Sequence, residues 1–292
     1  MMIRMIKKFL LTMVLLVSFG CSKQLPSKPK ILVTIPPYAT LVQMIADDHV
    51  DVEIFVLPGS NPHTFEPSPE QIKKFVQAKI WFRIGDPIEA KMVVFLKERN
   101  VEVIDLSQGY TLLSGQGHTH ADGSLHEEKD LHLWLDPTLV TSQVKEITRA
   151  LSQQFPEMAA TFEEKSRTLE QQLFNIDQEI MTKLLPFRGE YLLTSHPAFG
   201  YYCHRYQLHQ LSVEVEGKDP LPQDIAHLMR DLKEHPVPVL FVEPQYNQKG
   251  ARMLAQKLEI PIEEVNPYDE DYFGMLTHLT DAVVKYYGHP SS

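Results

Sequence analysis

Apolar and polar positions alternate between two spacings along the chain. Residues 30–35 form an apolar, β-rich run that Pro36-Pro37 closes, and helical spacing follows through Leu41, Val42, Ile45 and Ala46. Val50, Val52, Ile54 and Val56 fall at every second position, which predicts a strand. Pro58-Gly59-Ser60-Asn61-Pro62 is turn chemistry. Ser68, Pro69 and Gln71 then mark a helix start: Ser caps, Pro suits the first helical position, and Gln can reach back to the cap. A strand at 80–84, a helix at 87–99 and a strand at 101–106 continue the series. After residue 186 it restarts, with strands at 190–194, 210–215, 238–242 and 262–265 between helices at 199–206, 223–234, 248–258 and 272–287. Such alternation implies βαβ units and mostly parallel sheets.

Two stretches break the rhythm. Residues 156–185 place Met158, Phe162, Leu169, Leu173, Ile176, Ile180 and Leu184 on one helical face before Pro186 closes it. At ~1.5 Å per residue this helix would span about 45 Å. Residues 107–130 are polar and carry Gly109, Gly115, Gly117 and Gly123 with His118, His120 and His126. A loop that long is usually functional or disordered. The economical architecture is α/β: two similar (β/α) domains, residues 30–155 and 187–292, joined by one long rigid linker helix over 156–186. A His-rich loop at 115–130 belongs to the first domain, and the site is expected in the cleft between the two. A helix passing both domains resists bending, so any hinge motion should be small.

The chain begins with an address. Met1 to Lys8 carries Arg4, Lys7 and Lys8 without an acid, and residues 9–19 are almost wholly apolar. These are the charged and apolar regions of a secretory signal. Ser18-Phe19-Gly20-Cys21 resembles the bacterial lipobox, in which cleavage precedes a lipidated cysteine, with Ser18 where that motif prefers Leu. Residues 1–20 are therefore expected as signal peptide and 21–29 as a tether. The mature protein is expected as an extracytoplasmic lipoprotein held to the bilayer through acylated Cys21, in the periplasm or on the outer cell surface. No apolar run reaches the ~20 residues that span a bilayer.

Composition adds exclusions. The 292 residues hold 38 acids against 28 bases, a net charge of −10. A nucleic-acid binder needs a surplus of cations, so that class is excluded. Hydrophobic content of 43% is ordinary for a globular protein. Once Cys21 is acylated, Cys203 is the one remaining thiol, and stability must come from packing. A monomer is expected.

The chain holds 13 histidines, and three stand where strands should end: His63, His132 and His196. Ligands of open α/β sheets bind beyond the carboxyl ends of strands, so both domains could aim imidazoles into one cleft. Imidazole suits Zn²⁺, which takes four ligands in a tetrahedron. No pair has the short spacing of a metalloprotease helix, and each histidine alone is a weak signal. His49, His204, His209, His227, His235, His278 and His289 read as surface or packing residues. Tyr201, Tyr202 and Tyr206 read as core. Glu66, Asp136 and Glu243 lie beside the histidine blocks and could orient a second ring nitrogen, although capping or surface charge is the plainer role.

The blocks around these histidines occur in a characteristic order. They are Pro58-Gly59 with Pro62-His63 and Pro67-Ser68; Ala78 to Phe82 with Ile84-Gly85 and Glu89; His132-Leu133-Trp134-Leu135-Asp136-Pro137; His196-Pro197-Ala198-Phe199-Gly200-Tyr201; Phe241-Val242-Glu243-Pro244-Gln245; and Asn266-Pro267-Tyr268. Together, from Ile31 to Tyr287, they resemble the ZnuA/TroA-like metal-binding lipoproteins, the zinc and manganese receptors of bacterial ABC transporters. The resemblance implies a non-enzymatic receptor that captures Zn²⁺ as cargo with His63, His132 and His196 and delivers it to an ABC permease and its ATPase. At the fourth position the family commonly has Asp or Glu, and this chain has Asn266. The amide could coordinate through its oxygen, hydrogen-bond a bound water, or stand aside. Loss of a hard carboxylate disfavours Mn²⁺ more than Zn²⁺.

Three alternatives share parts of this pattern. A manganese or other divalent-metal receptor needs the same histidines. A surface adhesin would not need them to converge. His118-x-His120-x-Asp122 also begins the metal motif of the metallo-β-lactamase fold, but Gly123 stands where that motif has another His, and no strand is expected to lead in. The loop with His118, His120 and His126 reads either as a weak zinc-capturing segment, like those of zinc-specific members, or as a solvated stretch.

Overall fold

The computed structural model of the protein describes residues 28–114, 118–119, 125–126, 129–214 and 222–288. The signal segment, Cys21, most of the tether and His120 lie outside the described residues, and His118 and His126 are described only as backbone.

The first half is built on strands β1 (Lys30–Val33), β2 (Asp51–Ile54), β3 (Ala78–Arg83) and β4 (Glu102–Asp105), in the order β2-β1-β3-β4 and all parallel. The second half has β7 (Tyr191–Thr194), β8 (His209–Ser212), β9 (Leu240–Val242) and β10 (Ile262–Glu264), in the order β10-β9-β7-β8 and again all parallel. Central strands of parallel sheets are covered on both faces and read as continuous apolar runs. Ile31-Leu32-Val33 and Leu240-Phe241-Val242 are such runs, and all six side chains are fully buried. Charges mark the margins: Asp51 and Glu53 lie on β2, Glu263 and Glu264 on β10, where an exposed edge must be protected.

Helices fill the crossovers. In the first half these are α1 (Pro36–Ala46), α2 (Pro69–Phe75), α3 (Ala90–Lys97) and α4 (Pro137–Gln154). Pro36 and Pro37, expected to end a strand, instead occupy the first turn of α1, where a missing N–H costs nothing. The Ser68/Gln71 capping box forms as the sequence indicates. The long helix α5 runs Ala159–Leu184, shorter than the expected 156–186, because Pro156–Met158 and Leu185–Phe187 form tighter turns at its two ends. The second half adds α6 (Gly200–Tyr206), α7 (Pro222–Glu234), α8 (Lys249–Leu258) and α9 (Tyr272–Tyr287).

Within the expected His-rich loop the structure differs from the sequence reading. His118–Thr119 (β5) and Leu125–His126 (β6) pair antiparallel, and Ser114 bridges Lys129. Two-residue strands are too short for any periodic signal to mark them.

The helix α5 packs along α4 and α1 of the first half and α9 of the second. One apolar cluster runs through all of them, from Ile31 and Trp81 through Phe162 and Leu173 to Phe199, Tyr272 and Leu276. Asp177 on α5 is buried and takes both the Nε and Nη2 hydrogens of Arg205 on α6, at 2.8 and 2.6 Å. The two sheets are thus fastened to a common spine, with the C-terminal ends of their strands turned toward one cleft.

Candidate metal centre

Each loop at that cleft leaves the carboxyl end of a strand. His63 lies after β2, in a tight turn where the Asn61 side chain accepts the His63 N–H at 2.9 Å. His132 lies between β4 and α4, and Asp130 Oδ1 receives its backbone N–H at 2.9 Å. His196 follows β7 and gives its backbone N–H to Glu243 Oε2 at 3.0 Å. The His63 and His132 segments are held by local bonds, and the His196 segment by a carboxylate 47 residues away.

The three imidazoles converge. One ring nitrogen from each lies within 4.8 Å of the others. His63 Nε2 and His196 Nε2 are 3.3 Å apart although 133 residues separate them in sequence. Zn–N bonds of ~2.0–2.1 Å in a tetrahedron require ligand atoms about 3.3–3.4 Å apart, so this pair already stands at the edge length of such a shell. His132 and His196 are buried at 7% and 3% exposure, while the His63 side chain is 38% exposed and faces the entrance.

The opposite ring nitrogens face carboxylates. His132 Nδ1 is 2.7 Å from Asp130 Oδ1, His196 Nδ1 is 3.0 Å from Glu214 Oε2, and His63 Nδ1 is 3.4 Å from Asp86 Oδ2. A carboxylate only accepts, so Nδ1 carries the proton and each Nε2 lone pair points inward. Burial, followed by the neighbouring His132 and His63, holds the His196 pKa well below its ordinary value, which keeps the ring neutral and able to ligate. Three acids behind three neutral rings also supply the negative charge that a divalent cation needs.

A cavity of about 630 Å³ opens beside the cluster, walled by Ile88, Leu112, Leu113 and Leu131 and floored by the three histidines and Tyr268. Gly200, at the start of α6, is there for clearance: a Cβ would stand 2.4 Å from Asp130 Oδ2. Gly85 has a φ of +89°, and a Cβ there would meet Ser107 Oγ at 2.4 Å, so the chain leading into Asp86 also requires glycine.

Other sequence candidates find different places. Asn266 Oδ1 accepts from Gln245 Nε2 at 2.5 Å and from the Tyr268 N–H at 3.0 Å, and Asn266 Nδ2 donates to Asp269. Its amide is thus engaged in holding its own loop. Asp136 caps α4 through Thr138, and Glu66 is exposed, as the plainer reading has it. Glu243 touches the backbone of His196, and its carboxyl also accepts from the Ser195 hydroxyl. His209 and His235 stack on either side of Tyr191. Tyr202 and Tyr206 are core, whereas Tyr201 also anchors the site, since its hydroxyl donates to the Asp130 carbonyl at 2.9 Å. Asp86, Asp130, Glu214 and Tyr246 were not singled out by sequence, and Tyr268 stood only as the last residue of the Asn266-Pro267-Tyr268 block, with no role assigned. Of these only Asp130 had a local signal, an acid two residues before a histidine that can bond both its N–H and its ring.

Known proteins share this arrangement of sheets. The sequence model of the family described as zinc-uptake complex component A, periplasmic (ZnuA), matches residues 31–286. A putative metal-binding protein of Chlamydia trachomatis serovar D is 27% identical over 277 residues, covering 94% of this chain and 97% of that one. The zinc-binding lipoprotein AdcA of Streptococcus pneumoniae is 26% identical over 264 residues; the match covers 87% of this chain and 53% of AdcA, so the chain spans about half that relative's length. A zinc-bound crystal structure of a ZnuA deletion mutant superposes with a TM-score of 0.82 at 27% identity, covering 91% of this chain and 100% of that one.

Proposed function

We propose, from the premise that the chain belongs to the ZnuA family, that it is the zinc receptor of an ABC importer. Membership makes it a metal-binding solute receptor of the extracytoplasmic space rather than an enzyme. His63, His132 and His196 are the protein ligands of a single Zn²⁺, which is the cargo. The observation that carries this is the convergence of their ring nitrogens within 4.8 Å from loops of both halves. Three neutral imidazoles without a neighbouring carboxylate ligand form a borderline donor set that suits Zn²⁺ better than Mn²⁺. The zinc-bound relative supports the same choice.

Residues 30–155 and 187–292 act as two lobes about the site, with the long helix between them. Acylation of Cys21 holds the receptor at the membrane beside a permease and its ATPase, to which it passes the ion. The lipoprotein AdcA supports that anchoring.

Calorimetry on chelator-stripped protein tests the reading. Wild type should take up one zinc per chain and bind Mn²⁺ more weakly, and the triple variant H63A/H132A/H196A should bind no zinc at the site. Tighter binding of Mn²⁺ than Zn²⁺ would overturn the zinc assignment, and full-strength zinc binding by the triple variant would overturn the site.

A further inference from the structure

Two tyrosines from the second half complete the wall behind the histidines. Tyr268, after β10, places its hydroxyl 3.2 Å from His132 Nε2, the nitrogen that points inward. Tyr246, after β9, stacks on the His196 ring at 3.9 Å with planes 14° apart, and its hydroxyl lies 3.1 Å from that of Tyr268. Both rings are buried. Tyr268 Oη thus stands at the same spacing from His132 Nε2 as His63 Nε2 does from His196 Nε2. It lines the cavity, while the Asn266 amide is taken up by Gln245, Asp269 and the backbone of Tyr268 itself.

We propose that Tyr268 is a positioning residue beside the fourth corner of the metal centre, acting through a neutral hydroxyl that serves the empty and the loaded protein in turn. This deepens the zinc-receptor assignment and rests on it. His132 Nδ1–H donates to Asp130, so His132 Nε2 can only accept, and Tyr268 must donate to it. Tyr246 then donates to Tyr268. When a cation takes the Nε2 lone pair, that acceptor is gone. The Tyr268 hydroxyl turns its hydrogen to Tyr246, and its oxygen accepts from the water that fills the fourth position on the ion. No proton is transferred, and rotation of the two tyrosine O–H groups joins the two states, since Tyr246 swings its own hydrogen away as Tyr268 turns toward it. A hydroxyl can play both parts because it donates and accepts; a carboxylate could not have capped His132 in the empty protein, and a phenyl ring could do neither. Asn266 has a consequence here: its Oδ1 fixes the Tyr268 backbone at 3.0 Å, so the residue at the family's usual ligand position instead sets the hydroxyl in place.

The test uses the Tyr268→Phe variant of the full soluble chain, with circular dichroism to check folding, and Tyr268→Met as substitute should Phe not fold. Zinc release into excess chelator should accelerate about 3- to 10-fold, the effect of one hydrogen bond. The visible spectrum of the Co²⁺-loaded protein, which reads the ligand shell and not global stability, should change in band position or intensity. Tyr246→Phe keeps the Tyr268 hydroxyl and should retain the wild-type cobalt bands while releasing zinc somewhat faster. Release within 1.5-fold of wild type together with an unchanged cobalt spectrum in Tyr268→Phe would overturn the proposal. Wild-type protein that binds one zinc per chain leaves the receptor assignment standing in that event, whereas wild type that binds none ends both.

Discussion

Asp130 holds His132 twice: its Oδ1 takes the backbone N–H of His132 at 2.9 Å and faces the ring Nδ1 at 2.7 Å. One carboxylate oxygen thereby fixes the position, tilt and tautomer of the ring. Asp130→Asn removes the charge and lets an amide N–H face Nδ1. Zinc affinity should fall about 10- to 100-fold, as for other outer partners of metal-bound histidines. Competition titration against a chelator of known affinity measures this, and an unchanged affinity would show that the ring is held by packing alone.

Gly200 has no side chain to offer a metal, yet Gly200→Ala should weaken zinc binding. The added methyl would stand 2.4 Å from Asp130 Oδ2. The carboxylate is the mobile partner, so it yields, and the cost appears in affinity more than in stability. A drop of several-fold, about 1 kcal/mol, with a melting temperature near wild type is expected. The opposite pattern, lost stability with intact affinity, would place the strain in α6.

His196 gives a pH signature in the metal-free protein. Burial keeps it neutral when folded, whereas in the unfolded chain it titrates near ~6.5. Below that pH the unfolded state gains a proton that the native state refuses. Its contribution to stability is therefore full above about pH 6.5 and is lost as pH falls. His196→Gln has no such titration. In urea unfolding it should cost about 1 kcal/mol less at about pH 5.5 than at about pH 7.5, one pH unit below ~6.5 being worth about 1.4 kcal/mol. Equal costs would mean that the native ring accepts the proton.

Glu243 runs the other way. It is fully buried, and its Oε1 has no hydrogen-bond partner among the described residues. Desolvation pushes its carboxyl up to about 8, against the donors Ser195 and His196 N–H. A raised native value favours the folded state below about pH 4.5, and that advantage is lost as pH rises through about 8. Glu243→Gln imitates the neutral acid. It should match wild-type stability near about pH 4 and exceed it near about pH 9 by at least 1.4 kcal/mol, one pKa unit's worth. A variant less stable at both would show that the carboxylate is charged in the fold.

Periodicity and turn chemistry revealed most of the scaffold before any coordinates, because eight short strands buried in parallel sheets and amphipathic helices leave their spacing in the residues. Prolines account for two of the bounds that moved: Pro36 begins α1 instead of closing β1, and Pro156 opens a tight turn ahead of α5. His63, His132 and His196 stood out because each lies in a distinctive block at a strand end. Their carboxylates did not. Asp86 is 23 residues from His63 and Glu214 is 18 from His196, and such partners are chosen by which strand lies next to which. Sheet order is not written in hydrophobic spacing. For the same reason Tyr268 ended a recognisable block, Asn266-Pro267-Tyr268, without showing a role. Its meaning depends on β10 bringing it across from His132, 136 residues away.

Trp134 donates its indole N–H to the Pro267 carbonyl at 2.7 Å, and its ring lies 5.1 Å from His132 and 5.3 Å from Tyr268. The other of the chain's two tryptophans, Trp81, is sealed in the apolar core of the first half, bonded to Thr34. Of the two tryptophans, then, one is sealed in the core and the other lies against His132 of the proposed site. Ultraviolet emission should report occupancy directly, with no dye attached, and Trp134→Phe should silence that signal while leaving uptake intact. The protein carries its own gauge of whether it is full.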